Sequence, residues 1–332
     1  MKKYKFGFIG TGAYGSALAN VLLDNRTDVI MYGINESEIN DINYNKRNSK
    51  YFGNAKFSIK SSILATNDLD FVVNNSEILV LAIPSNALKS VLLSISKILG
   101  NKKISILNLS KGIESQTNLF FSQFIKENFA KNLNYLATIL GPSFANEVFY
   151  KQTTIINIVS DDGLFAREVK SFFNNEYFRL EYNKNVIGCE IFSALKNVLA
   201  IGMGIAAYNS DSKNKIASLV TKGYQEIIEI YKEYTKEDNI DIAYEYGAIG
   251  DIILTCTNSN SRNFSFGLLI SEKGIDQALK EINTTVEGYE TAKTLEKILL
   301  KQKNTKHFFQ NIIDILFNKK SVKEITDFLK IL

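Results

Sequence analysis

At 332 residues the chain is longer than one hydrophobic core comfortably serves, so its length points to two domains. Hydrophobic residues at 45% and charged residues at 22% exclude a disordered chain, and a net charge of +4 is too weak for a nucleic-acid binder, though it suits an anionic small-molecule ligand. One histidine and two cysteines argue against Cys/His zinc sites, disulfide frameworks and iron–sulfur clusters, so no metal is expected.

Met1-Lys2-Lys3-Tyr4-Lys5 looks like the charged start of a signal peptide, but the apolar run after it is only Phe6–Ile9. That is too short for export and reads as a buried strand. It leads directly into Gly10-Thr11-Gly12-Ala13-Tyr14-Gly15 and then a helix over Ser16–Leu23. A G-x-G-x-x-G between a strand and a helix is the context a dinucleotide needs. The first glycine allows the turn, the second lets the pyrophosphate approach, and the third lets helix pack on strand. The whole turn, Ala13 and Tyr14 included, is therefore the candidate cofactor loop. A second strand, Val29–Tyr32, is followed by Gly33-Ile34-Asn35-Glu36. Asn35 is placed to accept a bond from the ribose of NAD. No arginine follows the strand at once to hold the 2′-phosphate of NADP, and Lys46 and Arg47 are the nearest cations, so NAD and NADP both stay open.

Further strands are expected at Glu77–Ile83, Ile104–Leu109, Tyr135–Leu140 and, more weakly, Thr154–Val159. Apolar strands alternating with helical patterns describe a doubly wound parallel sheet over residues 1–183. The chain's two prolines each follow a strand and precede a serine, Pro84-Ser85 and Pro142-Ser143. Lys111 lies just beyond Ile104–Leu109. In open parallel sheets, ligands bind at the carboxyl ends of the strands, where these residues collect.

Near residues 180–185 the periodicity changes. Residues 184–332 read as all-helical, with runs at 186–208, Ile216–Tyr234, Ile275–Glu281, Gly288–Leu300 and Phe308–Phe317. The run from Val186 to Tyr208 is long enough to raise a membrane question, but Glu190 and Lys196 interrupt it, which favours a buried helix and no membrane insertion. A lysine inside an apolar helix is rarely buried without a partner, and desolvation lowers its pKa into the range useful for proton transfer. Asn197 lies about 100° round the helix from it. Asp251 is a candidate for orienting Lys196, and Arg262, flanked by Ser261 and Asn263, suits a phosphate. His307 follows a Lys-rich run and reads as a surface histidine. Cys189 and Cys256 read as reduced core thiols of a cytoplasmic protein.

Together these segments resemble the bacterial NAD(P)-dependent glycerol-3-phosphate dehydrogenases along nearly the whole chain. The resemblance runs through Gly10–Gly15, Leu81–Ser85, Ser110–Glu114, Gly141–Val148, Ala194–Val198, Gly250–Thr257, Ser261–Asn263 and Val286–Gly288. It implies a Rossmann domain and an all-helical domain with the active site between them. It also implies reversible transfer of hydride between NAD(P)H and dihydroxyacetone phosphate, giving sn-glycerol 3-phosphate for phospholipid synthesis, in a cytoplasmic homodimer. By resemblance, Lys196 is the proton donor and acceptor, and Lys111, Gly141, Ser143, Asp251, Ser261, Arg262 and Asn263 are substrate contacts. Lys111, Ala145, Arg262 and Glu287 resemble cofactor contacts.

Departures from the family lie at Lys151-Gln152-Thr153, where a glycine and a proline are usual before Thr154, and at Ala207-Tyr208 with the loop to Lys213. Tyr14 stands where tryptophan or phenylalanine is common, and Ile34 near a usual basic residue. Two rival readings are a reductase of the same build acting on another ketone, and a catalytically silent dinucleotide sensor.

Overall fold

The structure, a computed structural model, describes residues 4–208, 210, 212–282, 286–299 and 307–330, without the side chains of residues 297–299 and 330. The described chain divides into two compact units, one comprising residues up to Ser110 with Ser122–Val186, the other Lys111–Phe121 with the residues from Ile187 onward.

The first unit is built on eight strands: β1 (Tyr4–Ile9), β2 (Val29–Tyr32), β3 (Ile63–Thr66), β4 (Ser76–Leu81), β5 (Ile104–Asn108), β6 (Leu133–Leu140), β7 (Thr154–Val159) and β8 (Phe178–Asn183). They lie in the order β3-β2-β1-β4-β5-β6-β7-β8. Every neighbouring pair is parallel except β6 and β7, which are antiparallel. Central strands of such a sheet are covered on both faces, so they read as continuous apolar runs. Ile78 to Leu81 in β4 and Phe6, Phe8 and Ile9 in β1 are all buried.

Expectation and structure differ at the sheet's edges. β3 and β8 did not stand out in the sequence. β3 is four residues long, and β8 alternates buried Phe178 and Leu180 with exposed Arg179 and the less buried Glu181. Edge strands carry such interruptions because only one flank is paired and part of the surface meets water. β7 runs against β6 because the Gly141–Thr153 connection holds only the five-residue helix Ala145–Phe149 and turns back along the same edge.

The second unit is helical among its described residues. Its spine is the helix Val186–Ala207, which is long and apolar enough to cross a membrane but is 94% buried along its most apolar window, so it serves as a core helix. Around it stand the helices Lys213–Thr235, Asp251–Cys256, Arg262–Lys273, Ile275–Glu281, Glu287–Leu299 and His307–Phe317. The spine crosses Arg262–Lys273 where glycine meets glycine. A Cβ on Gly204 would lie 2.0 Å from the Phe264 carbonyl oxygen, and one on Gly267 2.1 Å from that of Ile201. No larger residue permits this approach, which fixes the Lys196-bearing and Arg262-bearing helices against each other. His307 is half-buried at the start of its helix rather than solvated. The Lys-rich run before it, residues 209 and 211 of the divergent loop, and the end of the helix expected to reach Leu300 lie outside the described residues.

Candidate active site

In the first unit the candidate residues gather at the carboxyl ends of β1 and β6. Gly10 ends β1 at φ +116, and a Cβ there would lie 2.4 Å from the Ala82 carbonyl oxygen, so only glycine takes this turn. Gly12 is the N-cap of the helix Ala13–Asp24 and gives that helix no side-chain cap, while a Cβ built on it meets nothing within 4 Å. Uncapped N–H groups at the start of a three-turn helix, approached over a residue without a side chain, fit a pyrophosphate. Gly15 packs under Ala82. Tyr14 reaches from this turn to Ser143 beyond β6, with Oη and Oγ 2.9 Å apart, and Ser143 Oγ donates to the Gly141 carbonyl at 3.1 Å. Ala145 opens the short helix after that loop.

Asn35 also has a local role. Its Oδ1 accepts from the backbone N–H groups of Ser37 and Glu38 and from the Ser37 hydroxyl, so it caps the helix Glu36–Asn40. Glu38 is buried and accepts from the Thr11 hydroxyl at 2.6 Å and from Lys50 at 2.6 Å. Asn48 donates to the Thr11 carbonyl at 2.8 Å. The glycine turn is thus braced from behind by side chains that follow β2.

In the second unit Lys196, Asp251 and Lys111 come together. Lys196 Nζ lies 2.6 Å from Asp251 Oδ1 and donates to Thr255 Oγ1 at 2.9 Å, and Lys111 Nζ lies 3.1 Å from Asp251 Oδ2. The Lys196 and Asp251 side chains are 6% and 2% exposed, so their charges are well screened from water. Burial lowers the Lys196 pKa, and Lys111 adds to that while Asp251 opposes it. Burial alone would raise the Asp251 pKa, but the two lysines outweigh it and hold the carboxyl below its usual range. Both thiols are free and buried, and the Cys256 Sγ–H donates to the Lys196 carbonyl at 3.6 Å, a packing role.

Asn197 belongs to another network. Its Nδ2 donates to Glu287 Oε2 at 3.4 Å, its Oδ1 accepts from Asn263 Nδ2 at 3.0 Å, and Asn263 Oδ1 accepts from the Gly288 backbone N–H at 3.0 Å. Ser261 caps the helix Arg262–Lys273 by accepting from the Phe264 N–H at 3.4 Å. Two of the three residues expected at a phosphate therefore also hold the fold. Arg262 is exposed on the first turn and bonds to no described residue.

Residues 5–166 match the sequence model of the N-terminus of NAD-dependent glycerol-3-phosphate dehydrogenase, and residues 185–327 match that of its C-terminus. The chain belongs to this dehydrogenase family. Similar relatives are the glycerol-3-phosphate dehydrogenases (NAD(P)+) of Mesoplasma florum and Malacoplasma penetrans. The first is 40% identical over 98% of this chain and 96% of its own, the second 38% identical over 96% and 94%. The fold is also that of a crystal structure titled as the glycerol-3-phosphate dehydrogenase of Coxiella burnetii, with TM-score 0.88, 23% identity and 99% of each chain covered.

Within this dehydrogenase chain, sequence reasoning passed over Thr255. The signal was present: Thr255 is four residues after Asp251, one turn along the same helix face, and its hydroxyl lies 3.2 Å from Asp251 Oδ1.

Proposed function

We propose that the protein reversibly reduces dihydroxyacetone phosphate to sn-glycerol 3-phosphate with NADH or NADPH, and that Lys196 is its proton donor. The observation that carries the assignment is the buried Lys196 ammonium held 2.6 Å from Asp251. The reduced nicotinamide supplies the hydride for the carbonyl carbon. The other requirements fall on the chain's own groups. As negative charge develops on the carbonyl oxygen, a cationic Lys196 stabilises it and delivers a proton from Nζ. In the oxidative direction the neutral amine takes that proton back. Asp251 is the positioning carboxylate, fixing Nζ and offsetting part of the charge of two lysines. Lys111 adds a second cation beside the reacting oxygen. Arg262 holds the substrate phosphate, for which a guanidinium offers paired donors. Gly141, Ser143, Ser261 and Asn263 complete the substrate contacts, and the Gly10–Gly15 turn with Asn35, Ala145 and Glu287 the cofactor contacts.

Family membership supports the remaining assignments: a cytoplasmic homodimer whose product enters glycerophospholipid synthesis. A silent sensor has no use for a buried lysine, and an uncharged ketone has none for Arg262, so the rival readings leave these residues without a role. Absorbance loss from NADH and from NADPH, followed in parallel after adding dihydroxyacetone phosphate, is the test. Rapid oxidation of either cofactor is expected. No oxidation by protein that still binds cofactor would favour the sensor or a different ketone.

A further inference from the structure

Tyr14 sits in the Gly10–Gly15 turn and Ser143 lies 129 residues further along, yet their hydroxyls meet at 2.9 Å. The direction of this bond follows from a third atom. Ser143 has one hydroxyl proton, and Oγ directs it to the Gly141 carbonyl at 3.1 Å. Ser143 then has no proton for Tyr14, so the phenol is the donor. With one bond given and one received, Ser143 can offer a ligand only its remaining acceptor capacity. Both residues are half-buried, which leaves Oγ within reach of a small molecule.

Dihydroxyacetone phosphate presents a carbonyl oxygen, phosphate oxygens and one alcohol. At neutral pH the alcohol is its principal donor. The geometry points to Tyr14 as a positioning residue that commits Ser143 to accept a hydrogen bond from the substrate's primary hydroxyl. This rests on the reading that Ser143 contacts the substrate. The same hydroxyl persists in glycerol 3-phosphate, so the contact serves both directions. It selects for a three-carbon phosphate that carries the alcohol.

The test compares Tyr14→Phe, Ser143→Ala and the double variant, reading KM for dihydroxyacetone phosphate, kcat, and Kd for NADH by fluorescence. A parallel series uses acetol phosphate, the analogue lacking the alcohol. Tyr14→Phe is expected to raise KM for dihydroxyacetone phosphate about three- to tenfold, the worth of one net hydrogen bond, with a smaller effect on Kd for NADH because the ring and the backbone of the turn are kept. It should add nothing in the Ser143→Ala background, and leave KM for acetol phosphate unmoved. Unchanged KM in Tyr14→Phe, with a raised KM in Ser143→Ala, would overturn the role of Tyr14 while the substrate contact at Ser143 stands. Unchanged KM in Ser143→Ala would remove that contact and the inference with it. An equal rise with acetol phosphate would reduce the bond to a tie between loops and overturn the proposal.

Discussion

Lys196 and Lys111 share a single carboxylate, their ammonium nitrogens lying 2.6 Å and 3.1 Å from opposite oxygens of Asp251. Two cations on one buried anion leave a net positive charge where water is scarce. Such a site stabilises an alkoxide more than it stabilises a neutral ketone, which is the difference that lowers a barrier. Replacing Lys196 with alanine should cut turnover at least about 100-fold, the low end for general acid catalysis, while leaving Kd for NADH within about twofold because the glycine turn is untouched. Steady-state rates beside a cofactor titration separate the two, and normal turnover would show that another group delivers the proton.

The pH dependence carries a definite sign. Burial places the Lys196 pKa below the 10.5 of a solvated lysine. Ketone reduction needs the protonated amine and should fall as pH rises through that lowered pKa. Glycerol 3-phosphate oxidation needs the neutral amine and should rise over the same range. Asp251→Asn removes the charge that favours the ammonium, so the descending limb for reduction should move to lower pH. A kcat profile for each direction checks this, and a limb that stays in place would mean that Asp251 does not act through Lys196.

Arg262 is the exposed cation at the start of its helix, while its neighbours Ser261 and Asn263 have structural partners. Arg262→Ala should raise KM for dihydroxyacetone phosphate about 10- to 100-fold, the range for a charge-assisted bond, with a smaller effect on kcat. Added inorganic phosphite or phosphate should inhibit the variant less than the parent. Unaltered KM would place the phosphate elsewhere.

Much of this arrangement was legible in the sequence because the central strands and the spine helix announce themselves by unbroken apolar runs. β2 and β7 and the helix Ile275–Glu281 fall where periodicity puts them. β3 and β8 escaped because edge strands are short or charge-interrupted, and the reversal of β7 depends on a connection whose direction no residue type encodes. The Lys196 signal was a charge out of place in an apolar helix. Its second partner Thr255, and the engagement of Asn197 by Asn263 rather than by the Lys196 cluster, depend on side-chain directions that spacing alone leaves open. Asn35 has both an acceptor that suits a ribose and the ideal chemistry of an N-cap; the helix start at Glu36 accounts for the bonds it makes.

Glu226 tests the helical unit away from catalysis. It is fully buried and accepts from the backbone N–H groups of Phe308 and Phe309 at 3.1 and 2.9 Å, satisfying the start of the helix His307–Phe317. Burial raises its pKa above 4.5 despite those bonds and Lys222. Because the folded pKa exceeds the unfolded one, the native state binds the proton more tightly. This group therefore adds stability as pH falls from neutral through the folded pKa toward 4.5, and that gain disappears on raising the pH again. Glu226→Gln should flatten this slope in urea midpoints measured across the window. Glu226→Ala strands two buried donors and should cost roughly 2–6 kcal/mol, at about 1–3 for each. A midpoint equal to the parent's at every pH would mean the helix start is satisfied by other groups.

Cofactor choice should follow from what stands beyond β2. The 2′-phosphate of NADP is ordinarily met there by an arginine, whereas this chain places Ile34, 86% exposed, and an Asn35 whose Oδ1 already takes three donors. Of the cations that follow, Lys46 is exposed, whereas Arg47 Nε lies 2.9 Å from Asp41 and Lys50 Nζ 2.6 Å from Glu38. A dianionic phosphate held by Arg47 or Lys50 would compete with these carboxylates, while a ribose hydroxyl would not. NADH should therefore show the higher kcat/KM, and Ile34→Arg should raise kcat/KM for NADPH about tenfold with little change for NADH, as one charge-assisted contact would. Parallel kinetics with both cofactors decide it: a parent enzyme that favours NADPH would mean that Lys46, Arg47 or Lys50 meets the 2′-phosphate, and alanine at the responsible position would then abolish the preference.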